Sequence, residues 1–274
     1  MTNKKNIFLY LAFLCVNISV YARQQKIKNS IHKSIVYLDA LLKEDSINNN
    51  FKMSAFAYPN RILYYDLVNT YPKYFKNKTY ILKNYFPIYD DDKSIFPFYN
   101  RLVDKNYIPN KDSLIYYLNT HYDLDMVMLW AIYSNEQFAA YKTEAVSKIL
   151  QSYTIDSTQV RGFTHCALAI KWCKALNTYN ALKLPEKTEQ FYLTNTLEYL
   201  KHHPCYDDTG LEAILTLLLL DKKYLIDNRW IKEIINHQNK DGGWRFSIEN
   251  NSYTSHQHPT ILALIILTNY INIK

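Results

Sequence analysis

The sequence has few of the residues that turn a chain sharply or cross-link it. Among 274 residues there are 4 glycines, 8 prolines and 4 cysteines. Cys166 and Cys173 are seven positions apart on a predicted helix, about 10 Å by helical rise, which is too far for a disulfide. Cys15 lies in the N-terminal segment described next, which we predict to be removed. We expect the three cysteines that remain, Cys166, Cys173 and Cys205, to be buried free thiols.

The sequence also lacks a strong excess of charge and a second long apolar run. No segment after residue 22 has the roughly 18 uncharged apolar residues of a membrane-spanning helix. The formal net charge is +7 and falls to +5 once Lys4 and Lys5 are removed. Lysine and arginine are scattered rather than gathered into a stripe, so the sequence does not predict a nucleic-acid partner.

The first residues have the layout of a secretory signal. Two lysines precede an apolar run, and the run ends in small residues at Ala22. This layout predicts a signal peptide at 1–22, cleavage after Ala22, and export of a single domain at 23–274 to the periplasm or the exterior. An uncleaved membrane anchor is the alternative, because hydropathy separates the two poorly, and the body is exported in either case.

The rest of the chain has the apolar spacing of helices and little of the alternation expected for strands. Four nearly all-apolar stretches recur, at 119–133, 163–177, 207–221 and 258–271. Thr120, Thr164 and Asp208 follow one another at intervals of 44 residues. Such helices need neighbours on all sides, and the amphipathic stretches between them are expected to form outer helices. The repeat therefore predicts stacked helical hairpins.

Two arrangements of these hairpins remain open. If the hairpins curve round and close, they form an all-α fold of the α/α-toroid type, in which every inner helix begins at one rim. An open superhelix of helical pairs uses the same units but has no central cavity. We predict the toroid, largely because of the resemblance described next.

The segment Gln238–Trp244, QNKDGGW, resembles the QxxDGGW element of the terpenoid cyclase and protein prenyltransferase superfold. In that superfold the Gln caps an outer helix and the Trp packs against the following turn, so the resemblance implies these roles here. Gly242 and Gly243 supply backbone angles that other residues resist, and they turn the chain from outer to inner helix. Pro259 is tolerated in the first turn of the next helix.

The resemblance also implies that zinc is a candidate cofactor. Protein prenyltransferases hold zinc with an Asp-x-Cys segment that opens one inner helix and a His that opens a later one. Here His203-Pro204-Cys205 and His258 have similar places, with His203 where an Asp is expected. The candidate zinc ligands, two or three of which would form a tetrahedral site, are His165, His203, Cys205, His256 and His258.

Histidines and acids recur at the predicted starts of the inner helices. The predicted catalytic residues are His121, Asp125, His165, Asp208, Glu212 and His258, and the predicted ligand-binding residues are Tyr122, Trp244 and His256. Asp208 and Glu212 are four positions apart and so share a helix face. Imidazole beside carboxylate suits general acid–base catalysis near neutral pH. The alternative interpretation is that these residues only cap helices and stabilise first turns.

Two functions follow from these observations. The first is an exported α/α-toroid enzyme, a lyase or hydrolase, that acts on an extracellular carbohydrate or related polymer by acid–base chemistry at the N-terminal mouth of the inner helices. This expectation rests on analogy with exported enzymes of that architecture. The second is a non-catalytic protein that binds a small molecule or carbohydrate, or serves as a scaffold.

Overall fold

The computed structural model describes most of the C-terminal half of the chain and several parts of the N-terminal half. The described residues are 20–41, 58–75, 101, 106–120, 128, 132–133, 160–177, 184–185, 187–247 and 254–273. Within these ranges the regular structure is helical and no β-strand occurs, apart from one isolated bridge between Trp244 and His256. The predicted all-α class is therefore confirmed.

The α-helices are numbered here in chain order. They are α1 (20–41), α2 (Tyr58–Thr70), α3 (Lys111–Thr120), α4 (Val160–Ala175), α5 (Lys187–His202), α6 (Asp208–Leu219), α7 (Asn228–Asn236) and α8 (Gln257–Ile273). Short 3₁₀ helices at Pro72–Tyr74 and Lys223–Leu225 follow α2 and α6. Three of the predicted inner stretches correspond to α4, α6 and α8, and two of the amphipathic stretches correspond to α5 and α7.

The first predicted inner stretch, 119–133, differs from the structure. Thr120 lies in α3, which as described already begins at Lys111, rather than at the opening of an inner helix. Most of 121–133 lies outside the described residues.

Helix α6 forms the centre of the core. Every residue from Leu211 to Leu219 is buried, and α4, α5 and α8 all pack against this helix. Each fully buried leucine or isoleucine stabilises the fold by about 1.5–3 kcal/mol relative to exposure. Burial on all sides explains why the α6 sequence shows no polar face.

The N-terminal halves of α4 and α6 meet through buried hydroxyl groups. Thr164 Oγ1 donates to the backbone oxygen of Glu212 at 3.0 Å and lies 2.9 Å from Thr216 Oγ1. A hydroxyl buried without a partner costs free energy, so this pair selects one register between two otherwise apolar helices.

The residues that resemble the QxxDGGW element, 238–244, form a tight turn between α7 and the segment leading to α8. We refer to 238–244 as the glycine turn. Gly242 has a φ of +99°. This is the kind of unusual backbone angle that the sequence predicted for the turn. A Cβ atom on Gly242 would lie 2.3 Å from the backbone oxygen of Lys33 in α1, and one on Gly243 would lie 2.4 Å from Ser255 Cβ. Both glycines are therefore needed for close approach.

Gln238 joins the glycine turn to the middle of α1. Its Nε2 lies within hydrogen-bonding distance of Ser30 O, Ser34 Oγ and Gly242 O, at 3.0, 3.1 and 2.8 Å. Ser30 Oγ donates to Gln238 Oε1 at 2.9 Å. Ser30 and Ser34 lie inside α1 rather than at a helix end, so Gln238 links two elements where the resemblance implied a cap.

The structure does not test the predictions made for the N-terminal segment. Residues 1–19 lie outside the described residues, and α1 as described begins at residue 20. No described helix is both long enough and apolar enough to cross a bilayer. The predicted signal peptide and its cleavage after Ala22 stay predictions.

We predict that Gly242→Ala lowers the free energy of unfolding by about 2–4 kcal/mol. The positive φ disfavours a Cβ atom, and the contact with Lys33 O leaves no room for one. Urea denaturation of the purified protein measures the change. Lys240→Ala, at an exposed position of the same turn, is the matched control and should stay within about 0.5 kcal/mol of wild type. Equal stability of the two variants would contradict the close approach.

Candidate functional site

Three of the predicted catalytic residues, Asp208, Glu212 and His258, come together where α6 and α8 begin. One ligand atom from each lies within 4.8 Å of the other two. His258 Nε2 lies 3.2 Å from Glu212 Oε1 and 3.6 Å from Asp208 Oδ1. We refer to these three residues as the acid–histidine cluster. It combines residues that are 46 positions apart in the chain.

The start of α6 sets the direction of the two acids. Asp207 is the N-cap, and its carboxylate accepts a hydrogen bond from the Gly210 backbone N–H at 2.9 Å. Asp208 therefore opens the helix and Glu212 follows one turn later on the same face. The Asp208 backbone N–H donates to Phe246 O at 3.2 Å, which ties α6 to the segment that precedes α8.

The glycine turn sets the position of His258. The His256 N–H donates to Trp244 O at 2.7 Å. Thr260 Oγ1 accepts from the Trp244 N–H at 3.0 Å and donates to His256 O at 2.7 Å. These bonds fix the first turn of α8 against Trp244, and His258 extends from that turn toward α6.

The cluster is buried and rich in negative charge. The side chains of Asp208 and Glu212 are 3% and 5% exposed, while that of His258 is 23% exposed. Glu212 Oε2 is buried and accepts no hydrogen bond within the described part of the chain. The N-terminal end of α6 favours nearby carboxylates, and His258 lies within ion-pairing distance of both acids.

His256 lies beside the cluster without joining it. Its Nδ1 accepts a hydrogen bond from the His258 backbone N–H at 3.3 Å, and its ring meets Phe246 edge to face. Burial lowers the pKa of His256, and the nearby charge of His258 lowers it further. His256 is therefore a neutral neighbour whose predicted ligand-binding role stays a prediction.

The structure does not bring His165 into the cluster. Among the described residues, the group of His, Cys, Asp or Glu side chains with three convergent ligand atoms is the acid–histidine cluster. His165 lies in α4, and its half-buried position follows from the packing of α4 on α6. Predicted catalytic residues His121 and Asp125, and predicted ligand-binding residue Tyr122, lie outside the described residues.

Two of the candidate zinc ligands point elsewhere. His203 is exposed and stacks on Tyr199 with 4.3 Å between ring centroids. Cys205 is buried, and its Sγ lies 3.7 Å from Trp230 O. The site implied by the prenyltransferase resemblance, with His203 and Cys205 joining His258, is therefore not the one that converges, because the loop before α6 turns both side chains away.

Trp244 does not fit its predicted ligand-binding role. The residue is fully buried, and its Nε1–H donates to Ile234 O in α7 at 2.8 Å. A ring that is enclosed on both faces cannot stack on a bound ligand. A tryptophan after a turn gives no sequence signal of its burial, so only the packing of α7 and α8 shows that Trp244 is a core residue.

Comparisons of the chain with protein-family models, curated proteins and solved structures found no match. The candidate function therefore rests on the geometry of the acid–histidine cluster.

We predict that Cys166, Cys173 and Cys205, all buried and free, do not react with Ellman's reagent in the folded protein at about pH 8. Burial raises the pKa of the Cys166 and Cys205 thiols from 9.0 to about 12, so the reactive thiolate is scarce. Because the unfolded chain ionises first, stability should fall between pH 9 and about pH 12.

The thiol assay uses a Cys15→Ser background, which removes the cysteine outside the described residues. The same protein in guanidinium chloride supplies the control and should release the colour of all the remaining thiols. Rapid reaction of the folded protein would contradict the burial of these side chains.

Proposed function

We propose that the protein is an exported enzyme that binds a divalent metal ion, Zn²⁺ first, at the acid–histidine cluster and cleaves an extracellular carbohydrate or related polymer. The observation that carries the proposal is the convergence of three ligand atoms within 4.8 Å at a buried site. The substrate class rests on the predicted export and on analogy with exported α/α-toroid lyases and hydrolases.

The distances in the cluster fit a metal site better than an ion pair. Ligand atoms about 2.1 Å from a tetrahedral zinc ion lie about 3.4 Å from one another. The His258 Nε2 distances of 3.2 and 3.6 Å bracket that value, whereas a charge-assisted hydrogen bond is about 2.7–2.9 Å long. A bound cation would also give Glu212 Oε2 a partner.

The composition of the cluster fits a catalytic rather than a structural metal site. Structural zinc sites are closed by four protein ligands, while catalytic sites use three and keep one position open. A zinc ion held in this way supplies a water molecule activated near neutral pH. His258 is the most exposed member, so a substrate would approach from its side.

Contacts between the ends of the chain support the proposed toroid. Arg23 in α1 donates to Tyr270 in α8 at 2.7 Å, and Tyr71, next to α2, donates to Asn269 in α8 at 2.7 Å. In an open superhelix each repeat contacts only its neighbours, so the first and last helices stay apart. A closed toroid would also bring the starts of α6 and α8, where the cluster lies, to a common mouth.

The alternative is the non-catalytic binding or scaffold protein. The burial of Trp244 and the position of His165 outside the cluster favour this alternative, because both residues then serve packing alone. The two candidates differ in whether the acid–histidine cluster binds a metal and turns over a substrate.

We predict that the purified full chain binds about one zinc ion, measured by mass spectrometry of the metal after dialysis, and that bound zinc raises the melting temperature. Glu212→Gln and His258→Ala should lose the metal and this increase. His202→Ala, an exposed histidine on α5, and His165→Ala should keep both. If the wild-type protein binds no zinc and the variants do not differ from it, the proposed metal site is wrong.

We also predict that the zinc-loaded protein cleaves a member of a panel of extracellular polysaccharides. New reducing ends indicate hydrolysis, and an added ultraviolet absorbance of the product indicates elimination. Glu212→Gln should reduce the rate by at least about 100-fold, whereas His202→Ala should leave it unchanged. Zinc binding without turnover of any polymer in the panel would favour the non-catalytic alternative.

A further inference from the structure

A groove of about 460 Å³ separates α1 from α7 and shares no residue with the acid–histidine cluster. Its lining combines four basic residues, Arg23, Lys26, Arg229 and Lys232, with two isoleucines. Ile235 is half-buried, whereas Ile231 is buried. We refer to this feature as the basic groove. All of its lining residues except Ala22 lie beyond the predicted signal cleavage.

The positive charge of the basic groove is largely uncompensated. No Asp or Glu belongs to its lining. Arg229 is paired with Asp227 at 2.7 Å, just outside the groove. Within the part of the chain that the structure describes, Lys26 and Lys232 form no ion pair, so their charges remain available to an anionic ligand.

Arg23 is held in place by neutral groups. Its Nη2 donates to Asn228 Oδ1 at 2.8 Å and to Tyr270 Oη at 2.7 Å. These acceptors orient the guanidinium without cancelling its charge. The bonds described for Arg23 all use Nη2, which leaves the N–H groups of Nε and Nη1 for an incoming carboxylate. An oriented cation beside apolar lining suits a ligand with an anionic end.

The size of the basic groove favours a small amphiphile over a protein partner. Small-molecule sites have volumes of about 300–1,000 Å³, and this groove lies in that range at about 460 Å³. A stable protein interface uses about 20–30 residues a side, whereas nine residues line the groove. The half-buried Ile235 and the aliphatic stems of the basic residues offer apolar surface to a hydrocarbon chain, and the basic groups call for an anion.

We propose that the basic groove binds a single-chain carboxylate amphiphile of the fatty-acid type. The carboxylate contacts Arg23, Lys26 and Lys232, and the hydrocarbon chain lies along Ile235 and the aliphatic stems of the two lysines. This inference is independent of the metal site, because the two features share no residue. It adds a second ligand class to a protein whose proposed substrate is a polymer.

The experiment is calorimetric titration of the full chain with laurate below its micelle concentration. We expect one-to-one binding of laurate, binding of dodecanol weaker by at least about 10-fold, and no binding of acetate, because charge and chain contribute together. Zinc-free protein, with chelator present, should bind laurate equally well. Loss of metal binding therefore leaves this result unaffected.

The variants remove charge while keeping apolar stems. A Lys26→Met and Lys232→Met double variant should bind laurate at least about 10-fold more weakly than wild type. Lys187→Met on α5, an exposed lysine outside the groove, is the control and should bind as wild type does. Circular dichroism and melting temperature confirm that the double variant is folded.

Three results would overturn the proposal. The first is the absence of laurate binding to the folded wild type. The second is equal affinity of the double variant and the Lys187→Met control. The third is binding to vesicles that contain anionic lipid but not to monomeric laurate, which would identify a membrane-surface contact instead.

Discussion

The hydrogen bonds of Trp244 are the interaction on which the rest of the structure depends. Its indole binds α7 through Ile234 O, and its backbone binds the start of α8 through Thr260 and His256. The same turn reaches α1 through Gln238. Buried backbone groups must find partners, and here those partners belong to three different helices. The turn therefore decides where α8 begins, and so where His258 meets α6.

The buried acids of α6 call for an explanation beyond helix capping. Asp207 already caps the helix through Gly210, so Asp208 and Glu212 are not needed for that purpose. Burying a carboxylate is costly unless it is paired, and a histidine from a different helix, His258, lies 3.6 and 3.2 Å from these two acids. Proteins keep such unfavourable groups mainly at functional sites. The Asp207 cap thus weakens the interpretation that these acids serve only local structure.

The sequence predicted the helices better than it predicted the site. Apolar spacing located α4, α6 and α8 because each is buried all round, and the i, i+4 spacing put both acids on one face. The residue that completes the cluster is set by packing: three histidines precede or open inner helices, and only the contact of α8 with α6 selects His258. The prediction that Trp244 binds a ligand failed for the same reason, because burial by helices distant in the chain leaves no local pattern in the sequence.

Nearly uniform apolar helices pack well in more than one register, so polar contacts must choose among the registers. A slip of one turn between α4 and α6 would separate Thr164 from Thr216 and from Glu212 O, now 2.9 and 3.0 Å away. Each polar group left buried without a partner costs about 1–3 kcal/mol. Metal ligation needs ligand atoms placed within a few tenths of an ångström. The polar contacts of Trp244 with Thr260 and His256 fix the start of α8 in the same way, and they link the fold to the proposed chemistry because His258 then lies beside two carboxylates.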